Sequence, residues 1–308
     1  MKVLRGDPGS WEAPETGTSL TIGVYDGVHR GHAHVIGRAV EVAGDRIPGV
    51  LTFDRHPLTS SAPDHAPRLL TRLDQKLEQL EALGVGVVGL LSFDDRLRRL
   101  SPEDFAADIV AGAMGAKSVV VGRDFRFGFE RAGDVDLLIR MGPELGFEVE
   151  ALDLVGSGAP FASTVIRKML EAGDVDAAAA MLGRPFELRG TVVHGDSRGR
   201  TIGIPTANLE IVREYAVPRR GVYVAEVTVA DSIEQAVVNV GVRPTFGGGQ
   251  EVIEVHLLDF EGDLYDSEIA VRFLTHVRDE QRFDGIDELV DQIHRDIGTA
   301  REQFARRS

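Results

Sequence analysis

Cysteine is absent from this 308-residue chain, which excludes disulfides, iron–sulfur clusters and cysteine-ligated zinc and suits a reducing compartment. Basic residues are few beside acidic ones: 34 against 49, a formal net charge of −15. No basic stripe interrupts that balance, so long-range repulsion opposes DNA and RNA, and nucleic acid is not expected as a partner. Any phosphate-bearing ligand must then be held by local devices: helix N-termini, a few arginines or a divalent cation. Long hydrophobic runs are missing as well. The longest, 85–91 with its glycines, falls far short of a bilayer span. Residues 1–8 lack the apolar stretch of a secretory signal. The expectation is a cytoplasmic protein with no membrane partner, and composition leaves homo-oligomerisation open.

What is present suffices for two cores. Hydrophobic residues make up 43% and charged residues 27% of the chain, an ordinary globular balance, and the length exceeds the usual span of one domain. Between 19 and 155, apolar runs alternate with helical patterns. Segments 47–53, 85–91, 118–121 and 147–154 read as strands; 69–83, 102–114 behind a Ser101 cap, and 134–141 read as helices. Repeated β-α units predict a parallel, doubly wound sheet with ligands beyond the carboxyl ends of its strands. Two short helices follow, 164–171 and 175–182. After Gly183-Arg184-Pro185 the period changes. Segments 191–193, 222–229, 236–240, 252–258 and 269–273 predict an antiparallel barrel or sandwich, closed by a helix over 286–304. The boundary is expected near 183–187, giving domains 1–184 and 185–308.

Four places in the first domain carry chemistry. Thr21-Ile-Gly-Val-Tyr-Asp-Gly-Val-His-Arg-Gly-His32 reads as strand, tight turn and helix start, which presents free N–H groups and a positive dipole end to an anion. His29 and His32, three apart, share one helix face and reach the same phosphate. Asp54 and His56 follow the second strand as ligand contacts, with a turn cap as the plain alternative for Asp54. Asp124 and Phe125, in Gly122-Arg-Asp-Phe-Arg-Phe-Gly128, follow a later strand; the phenylalanines serve equally well as core. Ser163, Thr164 and Arg167 open a helix, where capping competes with polyphosphate binding. Arg167 in the first turn opposes the dipole, which favours an anionic ligand.

In the second domain the densest signal runs from His194 to Asn208. Gly195, Gly199 and Gly203 allow backbone to approach a ligand closely, and Arg198 and Arg200 add positive charge. Thr206 and Asn208 offer the neutral oxygens that hydrated Mg²⁺ accepts beside nucleotide phosphates. No Gly-Lys-Ser/Thr occurs, so this is not a Walker loop. Downstream, alternation sets Glu254 and His256 opposite Ile253, Val255 and Leu257. A carboxylate on a ligand-facing strand position is a natural general base for a hydroxyl.

Together these motifs resemble the bacterial bifunctional FAD synthetase family, which joins riboflavin kinase to FMN adenylyltransferase. The matching residues are Gly23, Tyr25, Asp26, Gly27, Val28, His29, Gly31 and His32; Gly122 to Gly128; Ser163 to Arg167; Gly203, Pro205, Thr206 and Asn208; and Glu254 with its neighbours, in the family's order and over nearly the whole chain. The resemblance implies an α/β fold: a Rossmann-like nucleotidyltransferase domain with a parallel sheet, then a riboflavin-kinase β-barrel and a terminal helix. It implies that ATP phosphorylates riboflavin to FMN, with Glu254 as base, Mg²⁺–ATP on Thr206 and Asn208, and an ATP loop of Gly195, Arg198, Gly199, Gly203 and Pro205. A second ATP would adenylylate FMN to FAD and release pyrophosphate. There His29 and His32 would be catalytic, Gly23, Tyr25, Asp26, Gly31, Ser163, Thr164 and Arg167 would contact ATP, and Asp54, His56, Asp124 and Phe125 the flavin. Arg55, Ala162 and Val165 depart from the family pattern at the adenylylating site. A kinase with a weakened adenylyltransferase half, or a non-catalytic flavin or nucleotide binder, are the alternatives.

Overall fold

A computed structural model describes residues 1–153, 161–195, 203–243 and 250–307. Its contacts divide the chain into two compact units, Met1–Ser163 and Thr164–Ser308.

The first unit is built on strands β1 (Lys2–Leu4), β2 (Thr18–Ile22), β3 (Ile47–Phe53), β4 (Val87–Leu91), β5 (Ala116–Gly122) and β8 (Glu148–Leu152), with a two-stranded hairpin, β6 (Arg126–Phe127) and β7 (Gly133–Asp134), after β5. The six long-range strands pair in parallel in the order β1–β4–β3–β2–β5–β8. From β2 the chain steps outward to β3 and β4, then returns to the opposite side of β2 for β5 and β8. The reversal lies between β2 and β5, the position at which doubly wound sheets bind ligands. Both sheet faces are covered. Leu51 and Val87 join a core with Phe105, Val110 and Leu138, while their neighbours Val50 and Val88 join another with Ile36 and Leu80. That is the alternation a pleated strand imposes.

The helices on these faces are α1 (Arg30–Glu41), α3 (Leu73–Ala82), the segment Pro102–Asp104 continued by Phe105–Ala113, and α6 (Val135–Leu145); a short helix, α2 (Pro57–Ser61), follows β3. The expected Ser101 cap is present, its hydroxyl accepting from the Asp104 N–H at 3.0 Å. Helix α3 begins four residues later than the apolar pattern suggests. The Asp26 carboxylate takes the N–H groups of Leu70 (2.9 Å) and Thr71 (3.4 Å), and the Gln75 side chain accepts from Arg72 N at 2.8 Å. Tertiary bonding thus overrides local periodicity.

The second unit holds α7 (Ser163–Ala172, apart from its first residue) and α8 (Val175–Leu182). It also contains β9 (Phe186–Val193), β10 (Ala207–Glu210), β11 (Gly221–Val229), β12 (Ser232–Arg243), β13 (Gln250–Leu257) and β14 (Glu268–Arg278), and a C-terminal helix (Ile286–Arg307). The strands close into an antiparallel barrel, β10–β13–β12–β11–β14–β9. The sequence supports five of these strands; β10, four residues of sequence Ala-Asn-Leu-Glu, is too short and too polar to show a strand period. Alternate residues such as Leu188, Ala225, Val238, Val255 and Phe273 are buried. The C-terminal helix packs Ala300 and Phe304 on the other barrel face, against Val222, Val224 and Leu274. Its buried Asp296 forms a bidentate pair with Arg278 (2.8 and 3.0 Å) and accepts from Gln292 at 2.9 Å.

Candidate active sites

Beyond β2 the chain makes a turn with positive φ at Tyr25 (52°), Gly27 (84°) and Val28 (38°). For a β-branched residue such as Val28 this costs about 1–3 kcal/mol, so the surroundings must enforce it. They do. Thr52 donates its hydroxyl to the Val24 carbonyl at 3.0 Å, and the Gly23 N–H donates to the Leu51 carbonyl at 3.1 Å. Tyr25 is buried with its hydroxyl 2.6 Å from that of Thr21, and burial pushes its phenol up. Ser163 donates to the Asp26 carbonyl at 2.9 Å.

The turn delivers His29 to the N-cap of α1, where its Nδ1 accepts from the His32 N–H at 3.2 Å. An imidazole accepting at Nδ1 carries its proton at Nε2. The two histidine rings stack at 3.5 Å between centroids and 18°, and Tyr25 meets His32 edge-on at 5.1 Å. Gly31 permits this: a Cβ there would lie 3.1 Å from both His29 Cε1 and Phe161 Cβ. His32 Nδ1 is buried and has no hydrogen-bond partner among the described residues. Burial, then the neighbouring His29 and Lys76, hold the His32 imidazole well below the usual histidine range. At neutral pH His32 is therefore an uncharged ring with an unspent nitrogen.

The other expected contacts of this unit are placed more loosely. Asp54 accepts from Ser92 Oγ at 2.6 Å, and His56 caps the short helix α2, its Nδ1 accepting from Leu58 N at 3.2 Å. Both follow β3, the strand beside β2, so they stand at the same sheet edge as the histidines. Asp124 is exposed in the turn after β5, and Phe125 stacks on Phe127 at 5.4 Å and packs against the core. Thr164 is exposed and Arg167 half-buried on the first turns of α7, in the second unit. One group escapes a reading of motifs. Lys76, in mid-α3, is buried; its ammonium donates to the carbonyls of Phe53 (2.8 Å) and Val24 (3.3 Å) and reaches Thr52 Oγ1 at 3.5 Å. The signal was available: Lys76 stands four residues before the core residue Leu80, on the same helix face.

In the barrel, Glu254 lies at the centre of β13. Its ladder partners are Asn208 on β10 and Asn239 on β12, and Asn239 Nδ2 donates to Glu254 Oε2 at 3.2 Å. Ile253 and Val255 point into the core while Glu254 stays half-buried on the other face. Asn239 is a second residue that motif reading missed; an amide inside Ala236-Val-Val-Asn-Val is its trace in the sequence. His256 Nδ1 lies 2.8 Å from the Pro205 carbonyl, fixing the Gly203–Thr206 approach to β10. Gly195 is backed against Asn208: a Cβ there would stand 2.2 Å from Asn208 Nδ2, so only glycine fits. Thr206 and Asn208 are half-buried, Pro205 and Gly203 exposed. Arg198 and Gly199 lie outside the described residues.

The chain matches two family models, FAD synthetase over residues 12–164, which hold the histidine turn, and riboflavin kinase over 182–304, which hold the Glu254 strand. A bifunctional riboflavin kinase/FMN adenylyltransferase of Escherichia coli is 42% identical, over 99% of this chain and 98% of its own length. The chain belongs to that bifunctional family. The Bacillus subtilis member is 35% identical over 93% of this chain and 92% of its own. A solved Streptococcus pneumoniae chain described as a macrolide-efflux protein has a TM-score of 0.90 and 31% identity, covering 98% of this chain and 99% of its own. Among the described residues no helix is long and apolar enough to cross a membrane. The family is one of transferases of flavin cofactor synthesis, and the expected fold and order of modules hold.

Proposed function

We propose that the barrel face bearing Glu254 phosphorylates riboflavin and that the sheet edge beyond β2 adenylylates the FMN formed, each with its own ATP. The observation that carries this reading is the pair of separate constellations: Glu254 between Asn208 and Asn239 on one ladder, and stacked His29 and His32 at a helix start. Functional halves at 1–184 and 185–308 accompany it.

In the kinase half, the riboflavin 5′-hydroxyl would give its proton to the Glu254 carboxylate as its oxygen attacks the γ-phosphorus. Asn239, donating to Oε2, leaves the other carboxylate oxygen for that proton. Thr206 and Asn208 would hold Mg²⁺–ATP. Two neutral oxygens suit a cation that keeps several waters and takes phosphate oxygens for the rest. Bound Mg²⁺ would neutralise phosphate charge. Positioning supplies the remainder, as phosphoryl transfer requires.

In the adenylyltransferase half an FMN phosphate oxygen would attack the α-phosphorus of ATP and expel pyrophosphate. His29 Nε2–H and the His32 ring are neutral donors, so they stabilise developing charge without a proton transfer. The N-terminus of α1 adds a fixed positive dipole end. Gly23, Ser163, Thr164 and Arg167 are assigned to ATP, and Asp54, His56, Asp124 and Phe125 to the flavin, on the strength of the family motif. A cytoplasmic location suits the cysteine-free composition and the ATP that both steps consume.

Incubation with riboflavin, ATP and Mg²⁺, with chromatographic separation of the flavins over time, tests the reading. FMN should rise first and FAD follow. FMN alone would mean that the adenylyltransferase half is weakened, and neither product would overturn both assignments.

A further inference from the structure

The nucleotide edge of the parallel sheet rests on a buried cation that no motif names. Lys76 reaches it from α3, a helix outside the phosphate-handling turn. Its three ammonium protons face three oxygens: the Phe53 carbonyl at 2.8 Å, the Val24 carbonyl at 3.3 Å and Thr52 Oγ1 at 3.5 Å. Val24 begins the turn that carries Asp26, His29 and His32, whereas Phe53 ends β3 and leads to Asp54 and His56. One side chain therefore clamps the two segments that flank the sheet edge next to the reversal between β2 and β5.

We propose that Lys76 is a positioning residue for adenylyl transfer: its buried ammonium ties the Val24 and Phe53 carbonyls together, fixing the spacing of the β2 and β3 turns and placing positive charge beneath the site of the triphosphate. The inference rests on the assignment of adenylyl transfer to this edge.

Its physical basis is twofold. A buried ammonium is tolerated only when its donors are used, and here all three are directed at oxygens of these two segments. Two carbonyl dipoles left unengaged beside an anion site would repel the triphosphate; here both are taken up by the Lys76 ammonium. The titratable groups facing the ammonium are the carboxylates of Asp26, from the turn after β2, and Asp54, from the segment after β3, and the neutral imidazole of His32 from α1. Burial lowers the Lys76 ammonium to about 8, with Asp26 and Asp54 opposing that fall. The clamp is then charged at neutral pH and released as pH rises through that value.

The test exploits the absence of cysteine. Lys76→Met should lower kcat for FMN adenylylation at least tenfold in the full chain and leave riboflavin phosphorylation unchanged. Lys76→Cys, alkylated in denaturant with 2-bromoethylamine and refolded beside wild type carried through the same steps, recreates the side chain with sulfur in place of one methylene. It should recover adenylylation, and its loss of rate on the alkaline side should move to lower pH than in wild type, because sulfur withdraws electrons from the amine. Full activity of Lys76→Met overturns the proposal. So does failure of the alkylated chain to recover while wild type survives, or recovery with an unmoved alkaline limb. His32→Ala serves as the control on the site itself. If that variant keeps full adenylylation, the assignment to this edge fails; if it loses adenylylation while Lys76→Met does not, only the Lys76 role falls.

Discussion

In the first unit the candidate site residues also hold the fold; in the second they stand clear of it. His29 caps α1, Asp26 clamps Leu70 and Thr71, Tyr25 lies in the core and Val28 sits at positive φ. Removing any of them disturbs the backbone that presents the others. Glu254, Asn239 and Asn208 instead project from regular ladder positions on the face opposite the barrel core, and the strands pair through backbone groups whatever those side chains are. A site made from a strained turn is preorganised by folding itself. One made from ladder positions depends on registers that the core side chains fix.

That contrast can be broken in three places. The largest effect is expected from Glu254→Gln, which keeps the volume and the bond from Asn239. FMN formation should fall about 10²–10⁴-fold, the usual worth of a general base, while thermal unfolding and FAD formation from supplied FMN stay as in wild type. A large loss of stability would place Glu254 among the fold-holding residues and erase the distinction. Asp26→Ala should show the opposite pattern. Two buried backbone N–H groups lose their acceptor, costing roughly 1–3 kcal/mol of unfolding free energy, and FAD formation should drop with it while kinase activity persists. Denaturant melts paired with both assays would check this. The smallest effect is on acid stability. His32 is held well below its ordinary value in the folded chain, so the unfolded chain binds more protons as pH falls below about 6.5. Stability of the first unit should decline below that pH, and His32→Phe should flatten the decline. An unchanged acid slope in that variant would mean that the ring is solvated.

Legibility followed the same division. The parallel sheet, its helices and most barrel strands were readable because periodicity reports which face is buried, and burial is what the fold obeys. The Glu254 face was readable for that reason. Helix α3 starts late because a carboxylate forty-four residues away takes the Leu70 N–H ahead of it, and no local pattern records a bond of that span. The spacing of Lys76 to Leu80 is a weak trace, since a lysine in an amphipathic helix normally reads as solvated. The histidine pair was visible as a motif, but its neutrality follows from ring stacking and burial, which spacing does not convey. Strand β10 was missed for another reason. It has four residues and a single buried apolar one, Leu209, so it shows no alternation that a sequence reading could follow.

The barrel closes on itself, so every described strand has partners on both sides and no ladder edge faces outward. Among the described residues the parallel sheet has two open edges, and each is blunted differently. Strand β1 is three residues long, too short to template another chain, and β8 carries Glu148 and the Glu150 that pairs with Arg38. Defence against aggregation is thus topological in one half and electrostatic in the other. Acid, which protonates carboxylates, or high salt, which screens them, weakens the protection of the β8 edge and leaves the closed barrel as it was.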